Sequence, residues 1–186
     1  MRVISGSAGG RRLKAPRGLH VRPTADRVKE SLFNVLGEAW EGLRVLDLFA
    51  GSGALGIEAL SRGASGAVFV DEDSRCIPVI RQNLQSCGLE DRANVIRAEA
   101  LRFLSRRKAG QGFHIIFADP PYEFGLAAAC LARVDRGDWL SPCGQMIVEH
   151  SRREPMPERQ GGVILADRRI YGDTRISMYK RVREAG

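Results

Sequence analysis

The chain of 186 residues has no run of about 18 apolar residues, so a membrane-spanning helix is not expected. Its opening, Met1-Arg-Val-Ile-Ser-Gly-Ser-Ala-Gly-Gly-Arg-Arg, lacks the apolar core of a secretory signal. Cysteine is sparse: Cys76, Cys87, Cys130 and Cys143 stand far apart, with no C-x-x-C pair and no nearby histidine at metal spacing. That argues against a disulfide framework and a zinc site, and the thiols are expected to be mostly buried and reduced, as in a cytoplasmic protein. The histidines are equally uninformative. His20 and His150 match no ligand or triad spacing, and His114 opens a core strand, so no metal is expected. There is no internal repeat, low-complexity tract or long linker, and the length suits one domain of ordinary size.

Charge is present but unevenly held. Residues 1–30 carry eight Lys/Arg against two acids and residues 150–186 carry nine against five, whereas residues 31–149 are net negative. A basic arm at residues 1–23 joined to a larger domain at 24–186 is an electrostatic footprint for a polyanion. Arg11, Arg12, Lys14, Arg17 and Arg22 fall on a hairpin and loop where each would meet a phosphate, adding about 0.9 to the salt dependence of binding. Arg27 and Lys29 lie on the following helix, either facing the same polyanion or pairing with Asp26 or Glu30.

Apolar periods give the organisation. Residues 2–5 and 11–15 read as a hairpin around Gly9-Gly10. Thr24 or Asp26 can cap a helix whose apolar positions are Val28, Leu32, Val35, Leu36 and Ala39. Strands are predicted at 43–48, 67–71, 94–97, 113–118 and 145–149, and helices near 54–62, 74–87, 99–107 and 124–134. Gly63 and Gly88 suit helix C-termini, while Pro78 falls where it would bend the second of these helices. Two strands at 162–169 and 174–182 flank the turn Tyr171-Gly172-Asp173. The alternation predicts a mainly parallel α/β sheet closed by an antiparallel strand.

Two loops carry chemistry. After the strand at 43–48 comes Asp47-Leu-Phe49-Ala50-Gly51-Ser52-Gly53-Ala-Leu-Gly56, and Asp71 stands twenty residues past Gly51, where a ribose-binding acid belongs. The glycine spacing alone also suits a dinucleotide. A pyrophosphate, however, wants a helix N-terminus free of carboxylates, whereas a sulfonium and an ammonium welcome Asp47. Glu72 follows Asp71, and Glu99-Ala100 sit after the third strand, where Glu99 meets an adenine edge or complements a helix dipole. Phe49 packs beneath the cofactor or in the core.

The second loop, Asp119-Pro120-Pro121-Tyr122, follows the apolar run Ile115–Ala118. Proline fixes the backbone, tyrosine can stack on a base, and Asp119 can accept hydrogen bonds from an exocyclic amine. That amine is a weak nucleophile, because its lone pair is delocalised into the ring. Accepting from its N–H groups favours a more tetrahedral nitrogen and positions it for in-line attack. Together the loops read as an S-adenosylmethionine-dependent N-methyltransferase.

The segments Arg22-Pro-Thr-Ala-Asp-Arg27-Val-Lys-Glu-Ser-Leu-Phe33-Asn34, Val45 through Ala64, Asp119-Pro-Pro-Tyr122 and Tyr171-Gly-Asp-Thr-Arg175 resemble the RsmD-type family in the same order along nearly the whole chain. Those bacterial enzymes methylate the exocyclic N2 of one guanine in small-subunit (16S) ribosomal RNA. The resemblance implies a seven-stranded Rossmann-like class I methyltransferase fold with an N-terminal hairpin that contacts RNA. It further implies that Asp119 to Tyr122 hold the guanine, and that Asp47, Gly51, Gly53 and Asp71 surround the cofactor. A monomer acting on ribosomal RNA or an assembling small-subunit particle is expected. A DNA adenine-N6 methyltransferase and a noncatalytic RNA-binding module are the competing classes, with a dehydrogenase third.

Overall fold

Apolar runs of five or six residues are too short for buried helices and become strands, and the amphipathic stretches between them become helices. The computed structural model describes residues 1–16, 24–106, 112–121 and 125–182. These fall into two compact units, Met1–Arg97 and Ala98–Gly186. The first holds α1 (Thr24–Leu36), β1 (Arg44–Leu48), α2 (Ala54–Ser61), β2 (Gly66–Asp71), α3 (Cys76–Cys87) and β3 (Ala93–Arg97). Its strands are parallel in the order β3-β2-β1, with Leu46 beside Val68 and Val68 beside Asn94.

The second unit holds α4 (Ala100–Leu104), β4 (Phe113–Ala118), α5 (Leu126–Arg136), β5 (Leu140–Ser151), β6 (Arg159–Gln160), β7 (Val163–Tyr171) and β8 (Thr174–Arg181). Here β4 and β5 run parallel, β8 lies antiparallel on β5, and β7 returns antiparallel on β8. Parallel strand–helix alternation closed by an antiparallel hairpin is the Rossmann-like α/β class that the sequence predicts. The added strand, β6, has two residues and leaves no periodicity to detect.

Several boundaries differ from expectation for physical reasons. Strand β5 begins at Leu140 because a bulge, with Cys143 at φ 63°, absorbs the turn-like Ser141-Pro-Cys-Gly before Gln145 rejoins Ile115. Helix α3 begins at Cys76, so Pro78 lies in its first turn, where no intrahelical N–H bond is lost. Helix α1 ends at Leu36, leaving Ala39 beyond it and Val35 at 38% exposure. The buried face turns instead through Lys29, Leu32 and Phe33, because Phe33 packs on Trp40 at 5.1 Å between ring centroids. Of the thiols, only Cys76 and Cys130 are buried, each pushed up to about 12 chiefly by burial, whereas Cys143 is exposed and Cys87 half-buried.

The arm forms a single antiparallel bridge, Arg2 to Arg12, rather than two full strands. Helix α2 engages the intervening backbone. Glu58, fully buried, accepts the N–H groups of Ile4 (2.7 Å) and Ser5 (3.1 Å) and pairs with Lys29 (3.3 Å) and Arg62 (2.9 Å). Lys29 is only 5% exposed and donates to the Arg2 carbonyl at 2.6 Å, so it is a buried partner of Glu58 and the arm and not a surface cation. Ser61 takes the Ala8 N–H at its Oγ and donates that hydroxyl to the Ser5 carbonyl. Gly6 approaches so closely that a Cβ there would lie 1.9 Å from the Ser61 carbonyl oxygen.

Removing one partner of a buried ion pair leaves an uncompensated charge. Glu58→Gln is therefore expected to cost about 3–5 kcal/mol in urea unfolding and to expose residues 1–14 to protease. His150, fully buried, lies within hydrogen-bonding distance of the Ser177 hydroxyl (2.9 Å) and the Ser151 carbonyl (3.0 Å), and burial holds its pKa below 6.5. The unfolded chain then binds the extra proton, so stability is full above pH 6.5 and falls as pH drops below it. Unfolding titrations should show that loss, and His150→Asn should flatten it.

Candidate active site

In the first unit, β1 runs into a loop that the backbone itself braces. Phe49 takes φ 63°, which is strained for a residue with a side chain, followed by Gly51 at 56° and Gly53 at 79°, the N-cap of α2. Strand β2 supplies two anchors: Val70 accepts the Ala50 N–H at 3.0 Å, and Asp71 Oδ2 accepts the Gly51 N–H at 2.7 Å. Asp47, 2% exposed, turns under the loop and accepts the Gly56 N–H at 2.9 Å. Gly56 lies against Phe69, where a Cβ would come within 2.3 Å of the ring. Above Gly51 the space is open, with only the Phe49 carbonyl at 4.0 Å from an added Cβ.

This cradle fits a ribosylated, positively charged cofactor. A carboxylate offers about four acceptor positions, and Asp71 uses one oxygen for Gly51 and the other for Asp73 N–H (2.9 Å), leaving capacity for ribose hydroxyls. Glu72 is exposed, and its carbonyl accepts from Arg97 at 3.3 Å. Ser52 is buried and turns its hydroxyl to Met1 Sδ at 3.5 Å. Phe49 is half-buried and stands apart from the fully buried core.

Asn83 is the residue that sequence reasoning missed. Its Oδ1 accepts the Lys14 N–H, and its Nδ2 donates to the carbonyls of Lys14 and Ser52, each at 2.9 Å. One buried amide therefore ties the arm to the glycine loop. An asparagine inside an otherwise ordinary amphipathic helix gives no motif by which to find it. The arm's Arg11, Arg12 and Lys14 are exposed, as is Arg27 on α1; Arg17 and Arg22 lie outside the described residues.

In the second unit, buried Ile115–Ala118 carry β4 to an exposed Asp119, then to buried Pro120 and exposed Pro121. Tyr122 lies outside the described residues. Glu99 is the N-cap of α4: its oxygens accept the N–H groups of Leu101 and Arg102, each at 2.8 Å, and Ala100 is buried behind it. Glu99 thus caps and complements the helix, as the dipole alternative expects. Beyond the loop, Glu154, 4% exposed, accepts the N–H of Gly125, the N-cap of α5, at 3.2 Å.

Loop geometry makes a stability prediction. The Cβ of Gly56→Ala meets a rigid ring, which overpacks the α2–β2 contact by about 1–3 kcal/mol. Gly51→Ala meets open space and bears only its left-handed backbone, about 1–2 kcal/mol. Thermal unfolding should rank Gly56→Ala as the more damaging.

The model of the family described as Conserved hypothetical protein 95 matches residues 1–180. The Bacillus subtilis (strain 168) protein YlbH is 45% identical over 182 residues, 97% of this chain and 99% of its own length. Ribosomal RNA small subunit methyltransferase D of Escherichia coli (strain K12) is 34% identical over 181 residues, 97% of this chain and 90% of its own. The solved structure of the Escherichia coli protein yhhF superposes with a TM-score of 0.87 at 33% identity, covering 99% of both chains. By sequence and by fold alike, this chain belongs to the RsmD-type methyltransferase family.

Proposed function

We propose that the protein transfers a methyl group to the exocyclic N2 amine of one guanine in small-subunit ribosomal RNA. The observation that carries this reading is Asp119, exposed at the end of a buried strand and followed by two prolines, in a chain that also holds the Gly51 cradle. The relatives' names support ribosomal RNA as the substrate class.

The methyl donor is S-adenosylmethionine, whose sulfonium supplies an activated methyl and accepts the electron pair of the broken S–C bond. Around it, Asp71 takes the ribose hydroxyls, Gly51 and Gly53 let the backbone approach, and buried Asp47 holds the loop while lending negative potential. Asp119 accepts N–H bonds from the guanine amine, which orients the nitrogen lone pair toward the methyl. As the N–C bond forms, the nitrogen becomes cationic, and the carboxylate stabilises that charge before solvent takes the proton. Tyr122 stacks on the base. A guanine inside a helix is out of reach, so the target lies in a loop or is flipped out. Arg11, Arg12, Lys14, Arg17, Arg22 and Arg27 follow the phosphates. The enzyme works as a cytoplasmic monomer on an assembling particle.

Labelled methyl transfer to small-subunit RNA, with DNA as the contrast, tests the reading. Asp119→Ala is expected to lower methyl transfer by about 10²–10³-fold while leaving donor affinity within a few-fold, since the lost contact acts on the acceptor. A wild-type rate in that variant contradicts the mechanism, and label entering DNA adenine instead of RNA assigns the other substrate class.

A further inference from the structure

The family-like segment Tyr171-Gly-Asp-Thr-Arg175 has no part in the chemistry above, yet its position is informative. It forms the tip of the β7–β8 hairpin, with Gly172 at φ 62°, and the Asp173 carbonyl accepts the Arg152 N–H at 2.8 Å. Register fixes where that tip lies. Ala118 pairs with Val148, Val148 with Ser177, and His150 with Arg175. The tip therefore stands at the edge of the sheet where β4 delivers Asp119, the edge at which α/β sheets bind ligands. With strands about 4.8 Å apart, Arg175 is roughly 10 Å across the sheet from β4, and β7 roughly 15 Å.

Cross-strand partners share a face, which places Arg175 and Ile170 in one row and Ser177 and Arg168 in the next. Arg168 is exposed and Ile170 is 52% exposed. Arg175 is half-buried, and its Nε is itself buried with no hydrogen-bond partner. Arg152 and Arg153 are exposed just past β5. Among the described residues no ion pair engages these four cations, whereas their neighbour Arg169 is paired with Asp167 (3.0 Å). The acids nearby are Asp173 at the tip, Asp167 beside Arg168 and paired with Arg169, Glu149 on the opposite face, and buried Glu154. Glu154 fastens the segment bearing Arg152 and Arg153 to Gly125, six residues past Asp119.

We propose that Arg152, Arg153, Arg168 and Arg175 form a second set of phosphate contacts, in addition to those of the N-terminal arm. It grips the RNA backbone a few nucleotides from the base at Asp119, with Ile170 against a sugar or base. The proposal rests on the reading of the substrate as RNA. Exposed arginines with no ion pair among the described residues, beside an exposed apolar side chain, suit a flexible polyanion with planar bases.

The test uses the full chain and a short mixed-sequence single-stranded RNA, with affinity followed against salt. In the double variant Arg152→Gln/Arg168→Gln, the slope of log K against log salt should become shallower by about 1.4, two contacts at about 0.7 each. Arg136→Gln, exposed in the last turn of α5, should leave it unchanged. Thermal unfolding and donor affinity should match wild type in both. An unchanged slope in the double variant, alongside a shallower one in Arg11→Gln/Arg12→Gln, overturns the second set of contacts and keeps the RNA reading. Salt-independent or absent RNA binding by the wild type overturns both. Loss of binding to an acidic peptide, with RNA binding intact, overturns the proposal in favour of a protein partner.

Discussion

Glu58 is the group on which the first unit depends. A carboxylate with no solvent contact must have its charge matched and its lone pairs filled, or the helix that carries it would not pack. Two cations from different elements and two backbone amides of the arm satisfy it together. The arm is consequently part of the folded unit and not a loose basic tail. Because Glu58 sits one turn after Gly53, the same helix that anchors the arm also opens at the glycine loop. Asn83 repeats the coupling from α3, holding Lys14 and Ser52 with one amide. The arm proposed to follow phosphates and the loop proposed to hold the cofactor thus share their supports.

The second unit solves a different problem. To meet a base as proposed, Asp119 has to be exposed while its backbone is held in place. Buried β4 fixes it from behind and Pro120 from ahead, while Glu154 secures the start of α5. Strand β5, braced on its far side by β8, carries the chain back to the same edge of the sheet.

What the sequence conveyed followed from the strength of each local signal. Strand–helix alternation, the glycine loop with Asp71, and the strand before Asp119 are short-range patterns, and all reappear in the structure. Where tertiary partners decide, the pattern misleads. Lys29 reads as a surface cation by type but is buried because Glu58 lies opposite it. Val35 reads as core by period but points outward because Phe33 and Trp40 draw the helix face round. Glu58 itself was legible in principle: α2 is apolar on nearly every side, so its lone acid had to be buried and paired. Asn83 and Glu154 were not, since each makes its contact with residues 29 or more positions away.

The most direct measurement is nucleoside mass spectrometry of small-subunit ribosomal RNA from cells that lack this chain, with and without its restoration. The account predicts that one N2-methylguanosine is missing from the RNA and returns with the intact chain but not with Asp119→Ala. Ribosomal RNA whose N2-methylguanosine content is the same in all these cells would contradict it.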